Sequence, residues 1–424
     1  MVHQLPAGAR DLLPIDVVQK QWIEDRLQQV FHQWGYHRII TSTLERLDTL
    51  MAGGAVERDT VIDVQDADDD DLGLRPELTA SIARTAVTRL AKAPFPQRLC
   101  YNANVFRRAQ RGSHNHQQEF YQAGVELLGG GGLIADAEIL LLIIDCVQRL
   151  GFATQNQQSP ESGPGWHLIL GEAGLTRSLL SVFPEPWRDK VRWAIAHLDR
   201  MALETLPLSP DLRDRALFLL DLRGQPRDVL QRLSTLDLDS PQQEAVNHLK
   251  ALVDLLADSF AEQSGGAVVG PQLVLDLSLI QTIDYYTGIV FEIVSDAASG
   301  QRILGQGGRY DQLLGLYHPQ GQAYPGIGFA LNTEEIYQVL LPQGHLPYKT
   351  PAIDWLIVPA SPQVYEAAFA QAQQLRDGDQ QVRVEMSLGN YSTPEAIREY
   401  AYQRRIGQIV WINTDSVSTI ETVS

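Results

Sequence analysis

The chain has 424 residues, with 34 basic and 52 acidic side chains, a formal charge of −18 and an isoelectric point near 4.9. At roughly 100–200 residues per domain this length predicts two or three domains with sizeable cores, and a charged fraction of only 20% excludes a largely disordered chain. The acidity argues against non-specific binding to nucleic acid, and the apolar run over 139–144 is far short of the ~20 residues that a membrane span needs.

The opening, MVHQLPAGARDLLP, has no basic segment followed by an apolar stretch, so a cytoplasmic rather than an exported chain is expected. Pro14 opens a helix whose apolar residues Ile23, Leu27, Val30, Phe31 and Trp34 recur at helical spacing, and Gly35 stops it. Strand character follows over 36–44. A second helix is predicted over 78–90, with Ile82, Ala83, Ala86 and Leu90 on one side. The segments 98–106 and 119–128 suit antiparallel strands. A third helix is predicted over 136–150, entered from four glycines and closed by Gly151. Cys100 and Cys146 sit in apolar contexts and read as buried thiols in a reducing compartment rather than a disulfide. From about 187 to 265 the sequence turns to helices with short loops, which predicts a helical insertion. Strands return at 272–279 and 285–295, and an apolar segment over 326–331 completes a first domain of 1–340.

A proline- and glycine-rich stretch over 341–352 reads as a linker. The remainder, 353–424, alternates strand and helix (355–359, 363–375, 381–386, 394–405, 408–412), which predicts a small α/β domain with a mainly parallel sheet. Thr393 and Pro394 stand in the order expected of a helix cap and first turn. No internal repeat is present.

Three segments could carry chemistry. If LRPELT at 74–79 is a strand, Arg75, Glu77 and Thr79 project to one face, as a polar pocket wall or as a salt-bridged strand end. In FYQAGVELLGG at 120–130, Gln122, Gly124 and Glu126 share a face. The glycine would leave space above the sheet for a small amino-bearing ligand, although an exposed polar face reads the same way. In DYYTGIVFE at 284–292, Tyr286, Gly288 and Val290 share a face, or the tyrosines simply edge a sheet. GQGGRYDQLLG at 305–315 is glycine-rich but has Tyr310 where GxGxxG requires its third glycine; a turn leading into a helix is expected. The acidic run Asp66 and Asp68–Asp71 lacks the spacing of a calcium loop and reads as a solvated hairpin turn. His114 and His116 have no evident third ligand, so no metal site is expected.

Taken in order, these segments resemble a class II aminoacyl-tRNA synthetase, specifically the histidyl-tRNA synthetase family. GARDLLP at 8–14 is similar to the family's opening, and GYHRIITSTLE at 35–45 to its dimer-forming first motif, with Ser42 where a proline is usual. LRPELT, VFRRAQRG with EFYQAGVELLG, IDYYTGIVFE, and GGRYDQLL with PGIGFA follow in the family's order. The implied fold is α+β: an antiparallel sheet with flanking helices and a helical insertion, then a small domain resembling a shortened anticodon-binding domain. The resemblance implies a histidine site. Glu77, Thr79 and Gln122 match the residues that hold the ligand's amino group, Glu126 and Tyr286 (beside Tyr285) those that read the imidazole, and Arg107 the arginine that meets the carboxylate.

The departures fall on the family's ATP positions. Ala109 stands for a glutamate of the second motif, Gln281 for the arginine before Asp-Tyr-Tyr, and Glu335 for the arginine that ends the third motif. Removing a transition-state donor typically costs about 2.7–4 kcal/mol, so adenylation should be abolished. Residues 350–424 carry five arginines against nine acids, a net charge of −4, with no evident phosphate-binding footprint. A synthetase-like chain with a histidine site and no ATP site resembles the regulatory subunits of ATP phosphoribosyltransferase. That resemblance implies a non-catalytic, cofactor-free partner that activates a short catalytic subunit in the first step of histidine biosynthesis. It further implies L-histidine as feedback effector and a self-dimer within a hetero-oligomer. An active histidyl-tRNA synthetase, or a synthetase-like binding module for another enzyme, are the alternatives.

Overall fold

Helix α1 (Pro14–Gln33) buries Ile23, Leu27, Val30 and Phe31 against one face of a nine-stranded sheet. The computed structural model describes residues 5–6, 8–54, 56–65, 71–109, 117–153, 165–263, 271–279, 286–297, 300–378, 382–389 and 393–423. The chain folds as two units, Met1–Pro347 and Tyr348–Ser424.

After α1 comes a two-residue strand, β1 (His37–Arg38), parallel to a later strand, and then β2 (Leu44–Arg46), which belongs to a separate small sheet. The strand expected over 36–44 is therefore split. Arg75 supplies the reason: its buried guanidinium donates from Nη1 to Thr41 O at 2.8 Å and Ser42 O at 3.1 Å, and from Nε to Asn104 O at 3.0 Å. Those carbonyls are satisfied by a side chain rather than by a ladder. The short helix α2 (Leu47–Met51) and the strands β3 (Ile62–Gln65) and β4 (Asp71–Leu74) complete the small sheet, in the order β2-β4-β3. β3 and β4 pair antiparallel on either side of the acidic run; of that run only Asp71 is among the described residues.

Helix α3 (Thr79–Thr88) then precedes the long antiparallel pair β5 (Gln97–Phe106) and β6 (Glu119–Leu128), close to the predicted spans. Helix α4 (Gly132–Arg149) follows the glycine run and buries most of its apolar residues. Strand β7 (Trp166–Glu172) leads to α5 (Ala173–Leu180). The helical insertion follows as α6 (Glu185–Ala196), α7 (Arg200–Thr205), α8 (Pro210–Leu220), a two-residue β8 (Arg223–Gly224), α9 (Pro226–Leu233) and α10 (Ser240–Gln263). Its Val191, Leu203, Leu219, Leu249 and Leu252 share one core with α1 and α4.

The chain re-enters the large sheet as β9 (Gln272–Asp276), β10 (Ile289–Ala297) and β11 (Gly300–Arg309). After the one-turn α11 (Leu313–Tyr317), β12 (Gly326–Asn332) closes the sheet and passes directly into α12 (Thr333–Leu340). The sheet order is β1-β5-β6-β12-β11-β10-β7-β9-β8. All neighbours are antiparallel except β1 with β5 and β7 with β9. GQGGR at 305–309, expected as a turn, is the end of β11: glycines let this strand lie close to β12, and the turn into α11 comes after it.

In the second unit β13 (Trp355–Pro359), α13 (Tyr365–Arg376), β14 (Val384–Met386), α14 (Pro394–Gln403) and β15 (Gln408–Ile412) follow the predicted alternation, with β13, β14 and β15 parallel. An antiparallel edge strand, β16 (Ser418–Thr422), was not anticipated, because its mostly exposed residues carry no apolar alternation. Ile397 and Ala401 of α14 pack on one face of this sheet and Ala368 and Ala372 of α13 on the other. Cys100 and Cys146 are buried and unpaired. Among the described residues no helix is long and apolar enough to cross a membrane, and no cluster of three or more metal-ligating side chains occurs.

Phe31 of α1 meets Phe329 of β12, with ring centroids 6.2 Å apart, so this contact supports the sheet's centre from behind. Phe31→Ala is expected to lower unfolding free energy by about 3–5 kcal/mol, read as a fall in urea midpoint at unchanged slope.

Candidate functional site

The central strands β6, β12 and β11 present a polar cavity of ≈ 330 Å³ on the face opposite α1, walled by α3 and its preceding turn. Glu77, Thr79, Arg107, Gln122, Glu126 and Tyr286, six of the seven residues matched to a histidine site, line it together. The seventh, Tyr285, lies outside the described residues, as do Gln281, His114 and His116.

Each side chain arrives there for a local reason. Strand alternation puts Gln122 and Glu126 on one face of β6, as expected. The segment LRPELT, however, is not a strand. Pro76 lacks the N–H that a ladder requires, so β4 ends at Leu74 and the chain turns into α3. Glu77 reaches the first turn of that helix, where its carboxylate accepts the N–H of Thr79 and, at 3.0 Å, that of Ala80. An acid among the free N–H groups of a helix start is favourably placed. Arg75 points away to the Thr41, Ser42 and Asn104 carbonyls and does not line the cavity. Arg107 donates from Nε to Pro76 O at 3.0 Å, which fixes it beside Glu77.

The space above Gly124 is likewise not vacant. Tyr101 pairs with Gly124 in the β5–β6 register, and a Cβ on that glycine would lie 2.5 Å from the Tyr101 hydroxyl. The glycine makes room for an aromatic wall rather than for a ligand. Gly328, opposite Glu126 on β12, plays the matching part: a Cβ there would sit 1.9 Å from Glu126 Oε2. Tyr286 precedes β10 rather than standing within it, so the predicted alternation with Gly288 and Val290 does not apply, yet its buried ring still lines the cavity.

Glu126 is 1% exposed. Its Oε1 accepts from Thr79 Oγ1 at 2.8 Å, and its Oε2 accepts from the Tyr310 hydroxyl. Burial pushes its carboxyl up to about 8, against the two hydroxyl donors, and the nearby Glu77 adds to the rise. Burial also raises Glu77, offset by its backbone N–H donors and by Arg107. Tyr101 is raised well above the ordinary phenol range by burial and by both carboxylates. A ligand with cationic or hydrogen-donating nitrogens would relieve this excess of acceptors, while Arg107 offers the one guanidinium among the described residues of the wall.

Tyr101, Tyr310 and Gln306 also line the cavity, with Glu57 and Thr60 at its wall, and were not anticipated. The signal for Tyr310 lay in the residue that disqualifies GQGGRYD as a phosphate loop. A second cavity of ≈ 570 Å³ shares Arg107, Gln122, Gln306 and Ala330 with the first and is also lined by Arg302, Asn332 and Glu335. Glu335 pairs with Arg302 at 2.6 Å. Ala109 follows Arg108, whose Nη2 donates to Asp63 at 3.0 Å.

The histidyl-tRNA synthetase family profile matches residues 8–336. The ATP phosphoribosyltransferase regulatory subunit of Trichormus variabilis is 62% identical over 424 residues, covering all of both chains, and that of Synechococcus elongatus is 55% identical over 427, covering all of this chain and 98% of the other. The chain belongs to the histidyl-tRNA synthetase-like family of ATP phosphoribosyltransferase regulatory subunits. A solved ATP phosphoribosyltransferase regulatory subunit/histidyl-tRNA synthetase from Bacillus halodurans covers 97% of this chain and 98% of its own at 26% identity, with a TM-score of 0.77. A histidyl-tRNA synthetase from a Nostoc species shares the fold at 18% identity and a TM-score of 0.74, covering 99% of this chain and 97% of its own. Family membership thus accounts for the class II synthetase-like fold, with its antiparallel-rich sheet, flanking helices and small C-terminal sheet unit.

Because Glu126 binds a proton in the folded state that the unfolded chain has released, stability should fall as pH rises from about 4.5 towards 8. Calorimetric melting temperatures of the unliganded protein are expected to drop between pH 5.5 and 8.5, and Glu126→Gln to flatten that drop.

Proposed function

We propose that this chain is a non-catalytic subunit that binds free L-histidine in the cavity and passes its occupancy to an ATP phosphoribosyltransferase catalytic subunit. It activates that subunit and makes it sensitive to histidine as a feedback inhibitor, at the first step of histidine biosynthesis. The phosphoribosyl group is transferred from phosphoribosyl pyrophosphate to ATP, with release of pyrophosphate, on the partner, in the cytoplasm.

The observation that carries this reading is the contrast between the two adjoining cavities. In the first, acceptors for an ammonium group (Glu77, Gln122), an acid and a phenol for an imidazole (Glu126, Tyr286) and a guanidinium for a carboxylate (Arg107) surround one space. Such a set matches each polar group of histidine, and analogues lacking a ring nitrogen would leave buried groups unpaired. In the second, Glu335 neutralises Arg302 where a synthetase would need free cations on a triphosphate. Ala109 brings no charge of its own.

A self-dimer through the 35–45 segment is part of the proposal. Ile40 is 81% exposed and Leu44 43%, an apolar pair beside the short edge strand β1. The buried free thiols of Cys100 and Cys146 suit a reducing compartment.

The purified chain is expected to give no histidine-dependent ATP–pyrophosphate exchange, and robust exchange would overturn the proposal in favour of an active synthetase. Added to a short ATP phosphoribosyltransferase, it should raise the rate and confer inhibition by histidine. In that assay Glu126→Ala should raise the half-inhibitory histidine concentration at least about tenfold, the scale of one hydrogen bond to a charged group. An unchanged value would place histidine sensing elsewhere.

A further inference from the structure

The cavity is linked to the helical insertion by a chain of charged groups, in which Asp136 and Arg309 are buried and His248 is half-buried. His248 stands on α10, and its Nε2 lies 2.7 Å from Asp136 Oδ2 at the start of α4. Asp136 is 1% exposed, and its other oxygen accepts from Arg309 Nε at 2.8 Å and from Arg309 Nη2. Arg309 ends β11, immediately before Tyr310, and its Nη1 also meets Asp311 Oδ1 at 3.0 Å and Gly130 O at 3.3 Å.

The backbone around Arg309 holds both cavity tyrosines. Its carbonyl accepts from the Thr287 N–H at 2.7 Å, and Thr287 Oγ1 accepts from the Asp311 N–H at 3.0 Å. Thus the residue after Tyr286 is bonded to the residues on either side of Tyr310. Arg177 of α5 donates to the Tyr286 carbonyl at 2.7 Å from the other side.

Asp136 therefore serves two donors, one from the sheet and one from the insertion. Without the imidazole, Oδ2 becomes a buried acceptor with a vacated side, and the Arg309 fork is the cation nearest to it. A shift of that fork towards Oδ2 moves the backbone that carries Tyr310 and, through Thr287, Tyr286. The charged groups facing the imidazole are Asp136, Arg309 and Glu172; Asp136 raises the His248 pKa against its burial, which favours the charged donor.

We propose that His248 is a positioning residue for the cavity: acting through Asp136 and Arg309, it fixes the backbone of Tyr286 and Tyr310 and so couples ligand affinity to the docking of α10. The effect on affinity rests on the histidine reading given above, whereas the effect on the backbone does not.

Two measurements on the full-length protein test this, comparing wild type, His248→Leu, which keeps bulk but not the donor, and His248→Gln, which keeps a donor. By amide hydrogen exchange without ligand, His248→Leu should speed exchange at least about tenfold in peptides containing Thr287 and Asp311, and His248→Gln should stay within about threefold of wild type. Equal exchange in wild type and His248→Leu, or acceleration spread evenly over residues 8–347 in both variants, would overturn the inference. By calorimetric titration with L-histidine, His248→Leu should raise Kd about tenfold and His248→Gln restore most of the loss. If the wild type binds and His248→Leu binds as tightly, the inference fails. If the wild type gives no histidine binding, the ligand assignment fails, and hydrogen exchange alone then decides the role of His248.

Discussion

A carboxyl group sealed from water must find hydrogen-bond donors, and the site is organised around that need at Glu126. Its donors come from different parts of the chain: Thr79 at the first residue of α3 and Tyr310 just beyond β11. The strand opposite must yield space, which Gly328 does. Three remote segments are thus held in register by one acidic side chain on the central strand. An apolar residue at 126 would fill the volume and leave the hydroxyls of Thr79 and Tyr310 without their acceptor. The raised carboxyl is the energetic trace of this arrangement, since a protonated acid is the less costly form to bury and a ligand that supplies donors would shift the balance back.

Placement of charge, rather than its total, distinguishes the two adjoining cavities. The overall −18 is compatible with many partners. What discriminates is that Glu77 and Glu126 crowd one cavity while Glu335 is paired with Arg302 in the next. The first arrangement favours a ligand rich in donors, and the second removes positive potential where phosphates would have to sit. The Arg309–Asp136–His248 chain adds a further use of charge, as a strut between the sheet and the insertion.

Much of the fold was legible because it follows one-dimensional rules. The 3.6-residue period of Ile23, Leu27, Val30 and Phe31 announced α1, and the alternation over 119–128 announced β6 and its polar face. What could not be read depended on contacts between distant segments. Nothing local says that Tyr101 lies opposite Gly124, since strand register belongs to the pair and not to either strand. Arg75 looked like a wall residue by spacing, yet the Thr41 and Ser42 carbonyls, more than thirty residues away, claim it. Six of the side chains matched by family resemblance nonetheless line one cavity, because the match rests on residue identity and motif order more than on exact strand limits.

The glycines at 124 and 328 bear on how this cavity could change its ligand over evolutionary time. Each lies where even a methyl group would collide, with the Tyr101 hydroxyl in one case and a Glu126 oxygen in the other. At these two positions the floor offers no route by which small substitutions could gradually narrow the space. A new shape would have to come from exchanging the larger lining side chains, of which Glu77, Thr79, Arg107 and Glu126 are also structural ties. Retuning such a pocket means rebuilding it, so single small substitutions at these two positions cannot adjust its shape by degrees.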